Sequence, residues 1–292
     1  MTGLLLRAAE PRGFAVALLA AAIIALIAAL TGVVWLLLPL SFVVAAGWLV
    51  DRRGSRRRAA AGDGLAAGVA EPHPRPSLEL ASCYVPAQHG AAGDFYLVTA
   101  GPGDATTVVV GDVAGKGMAA ARRAAFVRTA FAASAPYTDD PCRLLDLVNS
   151  ALLEQHGDQA MLVTCACMVF APARHEISYA LAGHPAPMWL DDGSPLNSVE
   201  PGYPLGVEQR TGCASASSRF ESGAGLMAFT DGLSEARRGG GELFGVDRIA
   251  RALAALRGAP PAKVVRELRR EAERFAGGAL PDDLCIVALR AS

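Results

Sequence analysis

Residues 106–124 read TTVVVGDVAGKGMAAARRA. A β-branched run leads into a glycine-rich turn that carries one lysine, and an alanine-rich segment typical of a helix follows. The outline is similar to the phosphate-binding loop G-x-x-x-x-G-K-[ST] of nucleotide hydrolases. Gly111 and Gly115 stand one residue too close for that loop, and Gly117 occupies the position of its hydroxyl residue.

Asp112 indicates a different chemistry for this turn. A phosphate-binding loop presents backbone N–H groups to negative charge, and a carboxylate at the same place opposes that arrangement. A carboxylate at the end of an apolar strand suits a hard divalent cation, because such cations prefer oxygen ligands. One carboxylate can bridge two cations, and two cations together can activate water and stabilise displacement at phosphorus. The turn therefore predicts a metal site.

Further acids occur in the same setting, each beside an apolar run and next to a glycine or proline. Asp94 lies in AAGDFYLV, Asp231 in MAFTDGLSEA, and Asp282 and Asp283 in LPDDLCIVALR. A single aspartate in such a position is common in turns. Four matched positions from separate parts of the sequence instead indicate one shared site.

The order of the predicted elements indicates an α+β fold. Antiparallel-type strands follow one another across short turns, and the helices are grouped before and after them, which is typical of layered α+β domains and not of repeated βαβ units. The predicted strands are 95–100, 105–110, 161–170, 176–183, 186–190, 225–232 and 282–290, and the predicted helices are 118–134, one that begins at 140, 245–256 and 260–276.

The N-terminal region is predicted to be a membrane segment. Residues 14–50 are almost uninterrupted apolar sequence, whereas one span needs only about 20 apolar residues. Arginines flank the run on both sides, so the positive-inside rule favours two spans that turn at Thr31–Gly32, with both flanks cytoplasmic. One long tilted span and a cleaved signal peptide are the alternatives. The predicted location is the inner (cytoplasmic) membrane.

The predicted domain organisation has three parts: residues 1–50 form the membrane segment, 51–76 a basic and then proline-rich linker, and 77–292 one globular domain in the cytoplasm. The net charge of −1 over 292 residues argues against a nucleic-acid partner, which normally requires a basic stripe. The six cysteines contain no C-x-x-C pair and are expected to be reduced thiols. The membrane segment or the linker offers a route to a homodimer.

Seven motifs then carry a resemblance that covers everything from Leu78 to the C-terminus. AGDFY, GDVAGKGMAAA, LAGHPAPMWL, GYPLGV, FTDGLSEAR, ELFG and DDLCIVALR occur in the order seen in bacterial PPM-type protein phosphatases. The chain resembles the branch of stage II sporulation protein E and the regulators of stress sigma factors. The resemblance implies an α-β-β-α sandwich, in which helices flank two antiparallel sheets.

The same resemblance implies a phosphatase that depends on two divalent cations, Mn²⁺ or Mg²⁺, and hydrolyses phosphoserine and phosphothreonine in a protein. Attack on phosphorus by a metal-bound water, without a covalent intermediate, is the implied mechanism. The implied substrate is a phosphorylated regulatory protein, of the kind represented by anti-sigma-factor antagonists. The alternative is a catalytically inactive phosphatase fold that serves as a binding module at the membrane.

Residue roles follow from the resemblance alone. Asp112 matches the acid that bridges both ions, and the carbonyl of Val113 matches a backbone ligand of the second ion. Asp231 and Asp282 match the remaining ligands of the first ion, and Asp94 matches an acid near the second ion that often acts through water. The catalytic assignment rests on Asp112 and Asp231.

Three further positions have an open role. Asp283 matches a position that often carries an amide, and Lys116 is expected to be structural or gating. His184 is either an imidazole that fixes a turn or a group that contacts substrate or transfers a proton. Leu97 stands where the branch commonly has another acid, which affects the expected substrate contacts more than metal binding.

Overall fold

Two antiparallel sheets form the centre of the fold. The computed structural model describes residues 78–86, 93–156, 161–196, 199–239, 241–280 and 282–292, all within the compact unit Leu65–Ser292. The strands are β1 (Leu78–Val85), β2 (Phe95–Ala100), β3 (Thr106–Val113), β4 (Val163–Ala171), β5 (Glu176–Ala182), β6 (Met188–Trp189), β7 (Ala216–Arg219), β8 (Gly225–Phe229) and β9 (Leu284–Ala291). One sheet has the order β2-β3-β4-β5-β7 and the other has the order β1-β9-β8-β6.

Helices cover the outer face of each sheet. They are α1 (Gly117–Ser134), α2 (Pro141–His156), α3 (Asp231–Ser234), α4 (Val246–Ala255) and α5 (Pro261–Ala276). The first two pack on the five-stranded sheet, and α4 and α5 pack on the four-stranded sheet. The predicted arrangement of two antiparallel sheets flanked by helices is confirmed.

Alternating side chains divide the core into three apolar layers. In β3, Val109 points toward α1 and α2, whereas Val108 and Val110 point into the layer between the sheets. In β9, Ile286 faces α4 and α5, whereas Val287 lies in the layer between the sheets. Because successive strand residues point to opposite faces, a strand that is covered on both faces must be apolar throughout.

Several element boundaries differ from the prediction. The strand that carries Asp112 continues to Val113, so the acid lies within β3 and not after it. The predicted strand at 186–190 contracts to the two residues of β6, next to Pro185 and Pro187, which have no N–H to donate to a ladder. The strands β1 and β7 and the four-residue helix α3 have no counterpart in the predicted elements.

One pair of cysteines contradicts the expectation of reduced thiols. Cys142 and Cys213 form a disulfide, with their Cα atoms 5.9 Å apart. The chain before β7 lies against the start of α2, where the Ser215 hydroxyl donates to Asp140 Oδ1 at 2.7 Å. The same Asp140 oxygen accepts from the Cys142 amide at 2.9 Å and caps α2, the helix predicted to begin at 140. The other four cysteines are free.

The membrane prediction concerns residues outside the described ranges. Within those ranges, no helix is both long enough and apolar enough to span a bilayer. The predicted membrane segment at 1–50 and the predicted linker at 51–76 both lie outside the part of the chain that the structure describes. They stay predictions.

Candidate metal centre

One end of the sandwich collects the acids that the sequence singled out. Asp112 lies at the end of β3, Asp94 directly precedes β2, Asp231 begins α3 just after β8, and Asp282 and Asp283 directly precede β9. Pairing of Phe95 with Gly111 places the start of β2 beside the end of β3. Pairing of Phe229 with Ile286 does the same for β8 and β9 in the other sheet.

Glycines allow the backbones to approach closely at this end. A Cβ atom on Gly93 would collide with the carbonyl oxygen of Val113 and would lie 3.0 Å from Asp112 Oδ1. A Cβ atom on Gly232 would collide with the carbonyl oxygen of Asp283. Gly93 and Gly232 therefore have a steric role, because each allows neighbouring acidic segments to approach closely.

Asp94 is the most deeply buried of these acids, with 3% of its surface exposed. The Thr230 hydroxyl donates to Asp94 Oδ2 at 2.6 Å and links the two sheets. Burial raises the pKa of Asp94 to about 9, and the negative charge of Asp112 adds to this effect while the Thr230 hydrogen bond opposes it. Without a cation, Asp94 therefore carries a proton at neutral pH.

Asp112 and Asp231 also have raised pKa values. Burial raises the pKa of Asp112 to about 6, the nearby charge of Asp231 adds to the rise, and a hydrogen bond with Asp94 opposes it. Burial also raises the pKa of Asp231, with further contributions from Glu235 and Asp282. Such repulsion among neighbouring carboxylates is typical of a site built to receive positive charge.

The adjacent acids Asp282 and Asp283 occupy different surroundings. Lys116 Nζ lies 3.7 Å from Asp282 Oδ1, and both side chains are more than half exposed. Asp283 Oδ2 accepts a hydrogen bond from the Gly93 amide at 3.1 Å. Lys116 thus neutralises part of the charge of the acidic cluster from its solvent side, and its structural or gating role stays a prediction.

His184 lies close to the acids but is not among them. Its side chain is buried, with Nδ1 3.0 Å from the Thr164 hydroxyl and Nε2 3.1 Å from the Phe229 carbonyl oxygen. Burial lowers the pKa of His184 to about 4, and the hydrogen bond with Phe229 opposes this change. The imidazole is therefore neutral and held on both sides, which favours the turn-fixing role over proton transfer.

The residues at this end suit a divalent cation by donor type. Carboxylate oxygens and the Val113 carbonyl are the hard ligands that Mg²⁺ and Mn²⁺ prefer. Among the described residues, however, no group of three or more His, Cys, Asp or Glu side chains is arranged to hold one ion. Asp94 and Asp112 instead interact with each other through a hydrogen bond. The predicted ligands Asp94, Asp112, Asp231 and Asp282 come from four segments, and their assignment to particular ions stays a prediction.

The sequence did not reveal every residue that shapes this end. Thr230 was overlooked, although its position directly before Asp231 in FTDG was a usable signal. It is fully buried, donates to Asp94 and accepts from the Cys285 amide at 2.9 Å. No sequence pattern indicated a role for Thr164, because its contact with His184 exists only in the folded chain.

Comparison with known proteins gives the family. The family model for stage II sporulation protein E (SpoIIE) matches residues 102–292. Phosphoserine phosphatase RsbU of Bacillus subtilis is 25% identical over 169 residues, covering 57% of this chain and 50% of RsbU. The chain thus spans half the length of this curated relative.

Solved structures share the fold. The SiaA-PP2C domain of Pseudomonas aeruginosa superposes with a TM-score of 0.64 at 20% identity, covering 72% of this chain and 85% of that domain. RsbX in complex with magnesium gives a TM-score of 0.55 at 14% identity, covering 75% of this chain and 98% of RsbX. At identities of 20% and 14%, the similarity to these two solved structures shows a shared fold and nothing more. Together with the match over residues 102–292, it leads to one conclusion: this chain belongs to the SpoIIE family.

Proposed function

We propose that this protein is a metal-dependent phosphatase that hydrolyses phosphoserine or phosphothreonine in a regulatory protein. The observation that carries the proposal is the convergence of Asp94, Asp112, Asp231 and Asp282 from four separate segments at one end of the sandwich. The raised pKa values of Asp94 and Asp112 come from burial and mutual repulsion. A cation would relieve both effects. The similarity to phosphoserine phosphatase RsbU supports the same chemistry.

The chain's own residues have distinct parts in this proposal. Asp112 would contact two divalent cations, Mn²⁺ or Mg²⁺, with Asp231 and Asp282 beside the first and Asp94 and the Val113 carbonyl beside the second. When bound, the cations supply the positive charge that acidifies water and stabilises in-line displacement at phosphorus. Asp94, whose pKa is raised to about 9, would release its proton as cations bind, whereas Asp112, with a pKa of about 6, is largely ionised at neutral pH.

The proposal includes a substrate and a location. The substrate is a phosphorylated regulatory protein of the anti-sigma-factor-antagonist kind, as the resemblance to sigma-factor regulators implies. The apolar run at 14–50 and its arginine flanks support anchoring in the inner membrane with the catalytic domain in the cytoplasm. A homodimer through the membrane segment or the linker is part of the same proposal.

Hydrolysis by the purified full chain tests the proposal. We expect Mn²⁺ or Mg²⁺ to support release of phosphate from p-nitrophenyl phosphate and from a phosphoserine peptide, and chelation to abolish it. Asp112→Asn and Asp231→Asn should each lower kcat by at least about 100-fold. Asp247→Asn, at an exposed position in the first turn of α4, is the matched control and should keep the wild-type rate.

Two outcomes would contradict the proposal. Wild-type rates in Asp112→Asn and Asp231→Asn would show that the acids are not the reactive centre. Tight binding of a phosphoprotein without hydrolysis under any metal condition would favour the inactive binding module. That alternative draws on one observation, namely that no three acids of the described residues are arranged to hold a single ion.

A further inference from the structure

A buried histidine connects the two sheets beside the acids. His184 directly follows Gly183, just after β5 in the five-stranded sheet, and only 5% of its surface is exposed. Its ring reaches Phe229, the last residue of β8 in the four-stranded sheet. Gly183 has a φ of +63°, and a Cβ atom there would lie 2.7 Å from the Pro204 ring. The backbone that presents His184 therefore requires glycine.

The two hydrogen bonds determine the tautomer of the imidazole. The Phe229 carbonyl oxygen can only accept, so His184 Nε2 must carry the hydrogen of the 3.1 Å contact. Nδ1 is then the acceptor, and the Thr164 hydroxyl donates to it at 3.0 Å. Both ring nitrogens are satisfied in the neutral form, and neither is left to bind a ligand.

Both partners of His184 lie next to candidate metal ligands. Thr164 is the direct cross-strand partner of Asp112 in the β3–β4 ladder. Phe229 precedes Asp231 by two residues, at the point where β8 leads into α3. The imidazole therefore connects β4, the strand paired with the one that carries Asp112, to the end of β8, which leads to Asp231.

Two other side-chain hydrogen bonds between the sheets involve an acid of this cluster, and a third, from the Ser82 hydroxyl to the Tyr96 hydroxyl, does not. The Thr230 hydroxyl donates to Asp94 Oδ2, and the Gly93 amide donates to Asp283 Oδ2. A cation that draws on these carboxylates competes with those hydrogen bonds. The contacts of His184 end on a hydroxyl and a carbonyl oxygen, so they persist when the carboxylates bind metal.

We propose that His184 is a positioning residue, which fixes the segment paired with Asp112 relative to the segment that leads to Asp231, by connecting Thr164 to the Phe229 carbonyl oxygen. The inference rests on the proposed metal-dependent function but adds a role that concerns geometry and not proton transfer. Outer-shell hydrogen bonds of this kind typically change metal affinity or activity by 10–100-fold when they are lost.

Calorimetric titration of the full chain with Mn²⁺ alone tests this role. His184→Phe keeps an aromatic ring but removes both hydrogen bonds, and we expect about 10-fold weaker Mn²⁺ binding. His184→Gln retains one N–H donor and one oxygen acceptor and should recover most of the affinity. In hydrolysis assays, His184→Phe should lower kcat and leave KM nearly unchanged, because the substrate-binding surface is intact.

Thr164→Val provides a second test in case His184→Phe does not fold. Valine keeps the shape of threonine and removes the hydroxyl that donates to His184 Nδ1. Mn²⁺ binding should therefore weaken about 3-fold to 10-fold, which is at or below the low end of the effect usual for outer-shell partners. In a folded His184→Phe background, the same change should have no further effect, because the shared hydrogen bond is already absent.

The possible results separate this inference from the proposed function. Unchanged Mn²⁺ affinity in folded His184→Phe and in Thr164→Val would overturn the inference, as would failure of His184→Gln to exceed His184→Phe. A wild-type chain that binds Mn²⁺ but hydrolyses no phosphoserine would contradict the proposed function and leave the role of His184 supported by the binding data. A wild-type chain that binds no Mn²⁺ would overturn both.

Discussion

Replacing Asp94 with asparagine should stabilise the metal-free protein, and the gain should grow as the pH rises. Asp94 is 3% exposed, and burial raises its pKa to about 9 from the usual 3.8. Between about pH 5 and pH 8 the folded protein therefore keeps a proton that the unfolded chain has lost. Stability contributed by a group of this kind is present at low pH and is lost as the pH rises.

The size of the stability change follows from the one proton that Asp94 keeps in the folded protein and has lost in the unfolded chain. Because of this group, the free energy of unfolding should fall by roughly 3 kcal/mol between pH 6 and pH 8. Asparagine cannot ionise, yet its amide can still accept from Thr230 and donate to Asp112. The substitution should therefore remove this part of the pH dependence and leave the local hydrogen bonds in place.

Urea unfolding of the full chain with a chelator, at pH 6, 7 and 8, measures the prediction. Wild type should lose stability across this range more steeply than Asp94→Asn, and the exposed control Asp247→Asn should behave as wild type. With Mn²⁺ present the order should reverse, because Asp94→Asn lacks one oxygen ligand and gains less stability from the cation. Parallel pH profiles for wild type and Asp94→Asn without metal would refute the reasoning.

Three further predictions concern the backbone, the disulfide and the surface. Gly232→Ala should weaken Mn²⁺ binding at least about 10-fold, because the added methyl group meets a backbone carbonyl, whereas Gly239→Ala, with open space around it, should bind normally. Reduction of the Cys142–Cys213 disulfide should lower the free energy of unfolding by up to about 4 kcal/mol, since the bond joins residues separated by 71 positions. Lys116→Gln removes an exposed ion pair, so the free energy of unfolding should change by less than about 1 kcal/mol.

Each of these predictions has a result that contradicts it. Equal Mn²⁺ affinity in the two glycine variants would show that the close approach at Gly232 is not required. A reductant that leaves the unfolding curve unchanged would count against the disulfide, and Cys142→Ser provides the control that should not respond to reductant. A large loss of stability in Lys116→Gln would mean that this residue does more than neutralise exposed charge.

The strands that sequence patterns predicted well are those that the fold buries on both faces. The run around Val108–Val110 is apolar without interruption, and the structure covers it with helices on one side and the second sheet on the other. The strand β1 alternates between small, polar and apolar residues and is only partly buried, so its pattern carries a weak signal. The two-residue β6 was overestimated because apolar composition does not reveal how prolines interrupt a ladder.

The disulfide shows a different limit of sequence reasoning. Cys142 and Cys213 are separated by 71 positions and form no recognisable spacing motif. They meet because the segment before β7 returns to the start of α2, and that return depends on the order of strands in the sheet. Pairing of distant thiols therefore follows from tertiary structure.

The sequence by itself determined which acids lie at strand ends and which glycines accompany them, because strand periodicity and turn residues are local properties. It also determined that GDVAGKG is not a nucleotide loop, since the spacing and Asp112 are incompatible with one. Only the tertiary structure decided that Asp94 is buried enough to hold a proton and that the Thr230 hydroxyl donates a hydrogen bond to it. The connection of the two sheets by His184 likewise exists only in the folded chain. Protonation and hydrogen bonding across sheets depend on burial and on contacts between distant segments, which exist only once both sheets have packed together.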